Sequence, residues 1–429
     1  MRWAERLGTL AVVAALVGCG SGSDSEDAGT PAEDAFVPRP DTSVPEEDAF
    51  VPEEDAFVPE EDAFVPEEDA FVPEEDASRP DAGPAPLLET AASDENTGPT
   101  GEIAVTVPVT DHRSFMVVAT GDTNARLAAL DITAPDGTTL VRWQDWTDAQ
   151  SLTWAFYAER TSMAINWPVR DVDPALVPGD YVVRLGSYRV DGVTSRPDVP
   201  IRVTTITNRD HDLDVGHVRV AILWANGLGD DAALVSATER AVAHWADVWS
   251  SAAGMEIEVR YLETTLDTTL PYPSPMSGDL LLEASSLTEP GEVPVIIGDS
   301  IDGSTSQYGV AGRIPGPMVA STISAIVVGW LANAGGDGEF SDADITLYGE
   351  VLAHEVGHYI GLFHPFEQTY DSWDALDDTP ECTTRRMCID MLSTNLMFPF
   401  SICEGGTCVS TTELTSDQRG VMQRYTGAL

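Results

Sequence analysis

Residues 354–364 read His-Glu-Val-Gly-His-Tyr-Ile-Gly-Leu-Phe-His, and no other stretch restricts the fold of this chain so tightly. On a helix, His354 and His358 stand one turn apart, so both imidazoles leave the same face. Such a pair grips zinc at roughly 2.0–2.1 Å. Glu355 follows the first ligand and lies beside the metal, where it can take a proton from a zinc-bound water as general base. Gly361 reaches positive φ without a Cβ clash and lets the chain leave the helix. The turn then returns His364 as a third ligand. A fourth zinc position stays open for water or a carbonyl, which is the coordination of a catalytic site. The plain alternative is a helix that carries histidines by accident, yet three of the seven histidines fall in this one window.

The run resembles the extended motif of the metzincin clan of zinc endopeptidases. Asn395-Leu396-Met397-Phe398 resembles the Met-turn of that clan, whose methionine is an apolar floor beneath the metal and not a ligand. The resemblance gives Met397 that role; taken by itself, a methionine in an apolar run is core packing. Within the clan the chain is most similar to the pappalysin-like (cytophagalysin-like) family. The residues that carry this are His364-Pro365-Phe366, Asp377-Asp378-Thr379-Pro380, cysteines on both sides of the Met-turn, and Leu414-Thr415-Ser416-Asp417-Gln418 ahead of a last helix. Members of that family carry Met-Asp-Tyr at the turn, where this chain has Met397-Phe398-Pro399. No tyrosine therefore stands there as an extra ligand or transition-state donor. The His-Pro after the third ligand is shared with serralysins. The resemblance spans about residues 217–429 and is dense after about 340. It implies a protein or peptide substrate.

Toward the start, Arg2 and Arg6 precede the short apolar run Leu7–Val17, which reads as a secretion signal and is too short to span a bilayer. Leu16-Val17-Gly18-Cys19 resembles the bacterial lipobox, with residues 1–18 removed and Cys19 lipidated. The expected location is the cell envelope, as a lipid-anchored bacterial lipoprotein of the outer membrane. From Glu46 to Pro73 the unit Glu-Glu-Asp-Ala-Phe-Val-Pro repeats four times, and Ala32–Pro38 is a near copy. A period of seven suggests a coiled coil, but a proline in each repeat costs a helix about 3 kcal/mol. Asp24–Asp81 carries 22 acids against Arg39 and Arg79. Residues 19–97 are therefore expected to be a disordered, self-repelling acidic tether.

Residues 98–210 change to short β-branched and aromatic runs: 103–107, 115–119, 127–132, 140–143, 181–185 and 201–206. Pro135-Asp136-Gly137 and Pro178-Gly179-Asp180 are turn signals. The spacing predicts an all-β sandwich. Asp171, Asp173 and Asp180 have the chemistry to ligate calcium, with solvated loop acids as the ordinary alternative.

Residues 211–429 hold the α/β domain of the motif. Val218–Trp224 is a near-continuous apolar strand, and 230–251 has helical periodicity. His244 has no partner at ligand spacing and is expected to be a packed histidine. Strands at 255–262, 293–297 and 324–330 then build a twisted mixed sheet. Gly309–Gly316 looks like the edge strand which in metzincins pairs with extended substrate. Ser341 and Asp344 cap a helix from about 342 to 360 that carries the motif. Past His364 little regular structure is expected before a helix at 416–425.

With Cys19 assigned to lipid, Cys382, Cys388, Cys403 and Cys408 form an even set in one loop-rich stretch. In a secreted chain that reads as two disulfides with three connectivities, against a thiolate zinc site that lacks C-x-x-C spacing. Family likeness favours a Cys382–Cys403 bridge. The formal net charge of −50, with no lysine at all, argues against nucleic-acid partners.

The sequence thus describes a multidomain chain: acidic tether, β-sandwich, and a metzincin-type zinc endopeptidase holding one zinc, with Glu355 as base. The rival reading is a surface binding lipoprotein, an adhesin or scaffold, that keeps the metal fold without turnover. Glu355 argues against it, since a purely structural site has no use for a base there. An amidase of cell-wall peptide with the same zinc grip is a second rival.

Overall fold

A computed structural model describes residues 87–143, 150–336, 338–404 and 407–429. The signal, Cys19 and the repeats lie outside the described residues.

The first half is two antiparallel sheets face to face. In chain order its strands are β1 (Leu88–Asn96), β2 (Glu102–Val109), β3 (Ser114–Gly121), β4 (Arg126–Thr133), β5 (Thr139–Arg142), β6 (Gln150–Ser151), β7 (Ser162–Trp167), β8 (Gly179–Tyr188) and β9 (Pro200–Asn208). One sheet has the order β1-β9-β3-β7 and the other β2-β8-β4-β5. Along β2, Val105, Val107 and Val109 point inward while the residues between them are exposed or half-buried, the period-2 pattern of a sheet with one wet face. Phe115 from one sheet meets Tyr181 from the other at 5.6 Å between ring centroids. Residues 88–96, given to the tether on composition, are a correction to it. They form β1, paired along its length with β9. Most of their side chains are polar and almost all are exposed, so the strand rests chiefly on its backbone ladder at a sheet edge and leaves no hydrophobic period to read.

The second half continues with β10 (Gly216–Trp224), α1 (Ala232–Ala253), β11 (Met255–Glu263), β12 (Thr269–Leu270), α2 (Gly278–Ser286), β13 (Glu292–Gly298), β14 (Ser300–Ile301), β15 (Gly309–Ala311), β16 (Ile326–Gly329), α3 (Trp330–Asn333) and α4 (Asp342–Tyr359). After α4 come β17 (Trp373–Asp374), α5 (Arg385–Leu392), β18 (Cys403–Glu404), β19 (Thr407–Cys408) and α6 (Ser416–Arg424). The main sheet runs β11-β10-β13-β16-β15, with all pairs parallel except β15 on β16. Strand β10 is buried on both faces over Ala221–Trp224, which explains its unbroken apolar run. Helix α1 starts where the Asp231 side chain accepts from the N–H groups of Ala233 and Leu234, and stops at Gly254 with φ 64°. No helix among the described residues is long and apolar enough to cross a membrane.

Two expectations for the C-terminal stretch need correction. A helix, α5, forms at 385–392, started by the Thr384 side chain accepting from Met387 N–H. The disulfides are Cys382–Cys388 and Cys403–Cys408, not Cys382–Cys403. The first turn of α5 carries Cys388 back over Cys382, and the β18–β19 hairpin sets Cys403 opposite Cys408.

The two halves share one packed unit covering residues 86–429. Its seam is polar and buried. Asn166 of β7 accepts from Thr426 N–H at 2.8 Å and donates to the carbonyls of Pro168 and Arg424, both at 3.1 Å. Asn208 donates to the Thr426 and Ala428 carbonyls at 2.9 Å. Replacing Asn166 by alanine strands several of these groups, and we expect a loss of roughly 1–3 kcal/mol in unfolding free energy. Urea unfolding followed by tryptophan fluorescence reads it; an unchanged midpoint would show that the seam does not stabilise the unit.

Candidate metal centre

Helix α4 begins with a capping box: the Ser341 hydroxyl accepts from Asp344 N–H, and the Asp344 carboxylate accepts from Ser341 N–H at 2.8 Å. Asp342 and Asp344 set negative charge against the positive end of the helix dipole. Its last turn ends at Gly361, whose φ of 119° suits a residue without Cβ. That turn folds His364 back against the helix.

His354, His358 and His364 are all buried, and their ligating nitrogens lie within 4.8 Å of one another. His364 Nε2 stands 3.1 Å from His358 Nε2 and 3.3 Å from His354 Nε2. The partners of the other ring nitrogens settle the tautomers. His354 Nδ1 faces the Leu396 carbonyl at 2.7 Å and His358 Nδ1 faces the Leu362 carbonyl at 2.7 Å. A carbonyl only accepts, so each Nδ1 carries the proton and each Nε2 a bare lone pair. His364 Nδ1 faces the Glu367 carboxylate at 3.3 Å, with the same consequence. Three lone pairs thus converge with no donor among them, an arrangement that a cation completes. Burial pushes the His354 imidazole down to about 3 and, with its two neighbours, holds His358 well below its usual range, so both stay neutral and able to ligate. The carbonyls and Glu367 orient the rings in the way that outer-shell groups orient metal ligands.

Glu355 is 1% exposed, and neither carboxylate oxygen has a hydrogen-bond partner among the described residues. Burial pushes its carboxyl up to about 8, opposed only in part by the nearby Ala311 N–H. A cation held by the histidines would draw it down again, since opposite charge favours the ionised form. Strand β15 crosses directly over it: a Cβ on Gly309 would stand 2.7 Å from Glu355 Cγ. Glycine there lets strand and carboxylate share the space.

Met397 is fully buried, and its Sδ lies 3.0 Å from where a Cβ on Gly357 would be, beneath the histidine-bearing turn of α4. Its N–H donates to Asn395 Oδ1 at 2.9 Å, and Asn395 is locked to Gln418 of α6 by a pair of side-chain bonds at 2.8 and 3.2 Å. Gln418 also closes the capping box of α6. This network holds the Leu396 carbonyl that orients His354. Motif reading passes over Glu367, and although it marks the stretches that hold Asn395, Leu396 and Gln418, it does not show that these residues anchor His354. Phe398 turns away into a cluster with Phe366 and Phe400.

The other expected positions are placed elsewhere. His244 faces Glu350 at 3.7 Å, away from the triad. Asp173 accepts from the N–H groups of Val169 and Arg170 and pairs with the Arg170 side chain; Asp171 pairs with Arg424, and Asp180 is exposed on β8. These acids do not converge as a calcium site would require. Among the described residues the histidine triad is the only group of three or more such side chains within ligating range.

No family model matches the sequence, and no curated protein matches it. Among solved structures, a chaperone–substrate complex aligns with 62% of this chain at 13% identity and a TM-score of 0.29. Metalloproteinase-II from Bacteroides fragilis aligns with 53% of this chain at 12% identity and a TM-score of 0.29. PliG of Aeromonas hydrophila, a periplasmic inhibitor of g-type lysozyme, aligns with 28% at 13% identity and a TM-score of 0.16. This chain spans 38%, 62% and 87% of those three chains respectively.

Close to the centre, Asp374 of β17 is buried, with Oδ1 accepting from Thr379 Oγ1 and from Leu376 N–H at 3.3 Å, and Oδ2 unpartnered. Burial pushes its carboxyl from 3.8 up to about 8. The folded state therefore favours the protonated form: that contribution is fully present below pH 3.8 and is lost as pH rises through about 8. Asp374→Asn should gain on the parent as pH climbs through that window. Urea midpoints of the two proteins at about pH 5 and about pH 9 check it, and an unchanged difference would show that the carboxyl is not held neutral.

Proposed function

We propose that this protein is a zinc-dependent endopeptidase of metzincin type, close to the pappalysin-like family, exported and held to the cell envelope by lipid on Cys19. The observation that carries the reading is Glu355: a buried carboxylate, with both oxygens unpartnered, next to three imidazoles that converge their bare nitrogens. A structural metal site needs the histidines but has no role for that carboxylate.

His354, His358 and His364 would hold the ion through Nε2. When bound, zinc would supply Lewis acidity to water and to a peptide carbonyl, and no redox chemistry. Glu355 accepts a proton from the attacking water and passes it to the leaving amine, so one group serves as base and then as acid. Its place in a site closed by β15 and α4 keeps competing solvent away from that transfer.

Strand β15 supports an extended substrate. Gly312 N–H donates to the Ala325 carbonyl and Gly329 N–H to the Tyr308 carbonyl, so in this register Val310 also bonds inward to β16. Gly309 then presents its N–H and C=O, and Ala311 its C=O, on the other side of the strand, which has no sheet neighbour among the described residues, while the Ala311 N–H acts on Glu355. A peptide could add there by its main chain, beside Glu355, with sequence preference left to flanking side chains.

The test uses the purified protein with casein and with peptide libraries, beside Glu355→Gln. Parent and variant should each hold one zinc, and cleavage should fall by about 10²–10⁴ in the variant, the span of a lost general base. Zinc in both with cleavage in neither supports the binding-lipoprotein alternative. Cleavage that survives the substitution, or no zinc in either protein, would overturn the proposal.

A further inference from the structure

The chain has 22 basic residues against 72 acidic ones, and most arginines among the described residues pair with a carboxylate, so one whose guanidinium is shielded and makes no such pair is worth tracing. Arg160, in the segment that joins β6 to β7, is such a residue. Its Nη2 donates to the Pro273 carbonyl at 2.9 Å, while Nε and Nη1 are shielded from solvent and have no hydrogen-bond partner among the described residues. The neighbouring Glu159 gives its carboxylate to Arg313 at 3.0 Å. Burial first, then Arg313, brings its guanidinium down to about 10; Glu159 opposes this in part through space, and Arg126 adds a further positive charge. A cation in such a setting lacks a carboxylate bonded to it.

Pro273 directly follows Tyr272, and the loop bearing both is firmly tied. Tyr272 N–H donates to Asp302 Oδ1 at 3.0 Å and its carbonyl accepts from Ser277 Oγ at 2.8 Å. The Tyr272 ring packs on a cluster that includes Ile301 and Val310. Val310 is the centre of β15, whose Gly309 lies on Glu355. The Tyr272 hydroxyl makes no bond among the described residues. Burial first, and then the Glu355 carboxylate, push the phenol up to about 12, which puts the ring within electrostatic reach of the base. The segment before Arg160 also runs along the continuation of β15, with Trp154 N–H donating to the Ile314 carbonyl at 2.9 Å. A free hydroxyl and a cation with no carboxylate bonded to it therefore lie along the edge where an added strand would pass.

We propose that Tyr272 and Arg160 form a subsite for an acidic side chain of the peptide substrate, with the Tyr272 hydroxyl donating to its carboxylate and Arg160 supplying positive charge behind it. The proposal rests on the peptidase reading above and names a substrate class for it. Among the described residues no carboxylate bonds the guanidinium, since Glu159, which draws on it through space, is bonded to Arg313, so the substrate would supply the missing partner. A neutral glutamine at the same place would meet the hydroxyl but leave the charge unanswered.

The test measures binding separately from turnover. Zinc-loaded Glu355→Gln protein is titrated with fluorescent, end-blocked peptides carrying one glutamate at successive positions, each beside a glutamine twin. At one register the glutamate peptide should bind about tenfold tighter than its twin, the scale of a charge-assisted hydrogen bond. That ratio should fall to about one when Arg160→Gln is added, drop severalfold with Tyr272→Phe, and persist in part with Arg160→Lys. Should Arg160→Gln fail to fold, Tyr272→Phe decides, since a ratio it leaves unchanged rejects the subsite. Equal binding of the twins at every register rejects it too, as does a preference that survives Arg160→Gln. The same peptides are offered to the parent for cleavage. Cleavage without acidic preference rejects the subsite and leaves the peptidase standing. Neither cleavage nor binding of any peptide rejects both.

Discussion

Three imidazole nitrogens facing one another about 3 Å apart, with no proton between them, are the constraint on which the rest of this site depends. Lone pairs do not attract each other, so the cluster persists only because each ring is held from its far side. The Leu396 carbonyl holds His354, the Leu362 carbonyl holds His358, and Glu367 holds His364. Those anchors come from the Met397 turn, the turn at Gly361 and the segment after the third histidine. Neither turn belongs to a helix or a sheet. The long irregular stretch after α4 is thus ordered in large part by what it does for the ligands, and α6 takes part through Gln418.

The central features were legible because they are local. Helix α4 announces itself through Ser341, Asp344 and the one-turn spacing of His354 and His358, and all three ligands fall within eleven residues of sequence. The β-branched runs of the sandwich are legible either as a period of two, as in β2 with its one buried face, or as unbroken apolar runs, as in β3, which is buried on both. What the sequence hides is fixed by backbone position rather than by side-chain type. Strand β1 is mostly polar and joins β9 chiefly through its backbone ladder, with the Arg202–Asp94 ion pair beside it. Gln418 and Leu396 matter through bonds that span 23 and 42 residues, which no window of sequence can display. The disulfides erred for a related reason. Family likeness pointed to a long-range bridge, while the first turn of α5 and the β18–β19 hairpin each bring a nearer cysteine into place.

Composition drew a boundary near residue 210 and suggested a sandwich that merely precedes the metal domain. The seam tells against that independence. Buried asparagines of the sandwich satisfy carbonyls at the C-terminal end, β6 pairs with β17, and Trp154 packs edge-on against Phe363, one residue from the third histidine. A hinge at such an interface would leave Asn166 and Asn208 with unmet polar groups, which costs far more than parting two wet surfaces. The sandwich therefore acts as a fixed wall. Its outward segment between β6 and β7 contributes to the rim of the cleft, something that its fold class alone would never imply.

Charge shows why such a contribution matters. A net charge of −50 suggests at first that acidic substrates are kept away. At physiological ionic strength, however, exposed charges more than about 8 Å off are largely screened, so repulsion from distant acids fades before a peptide reaches the cleft. What a bound peptide feels is the charge within a few ångströms. Most arginines here are already spent on neighbours, as Arg184 is on Asp131 and Arg260 on Glu292. Glu159 bonds Arg313, and that leaves Arg160 without a bonded carboxylate among the described residues. What sets Arg160 apart from other arginines without a carboxylate is its place beside Tyr272, next to the edge of β15, and that is the ground for the proposed acidic subsite.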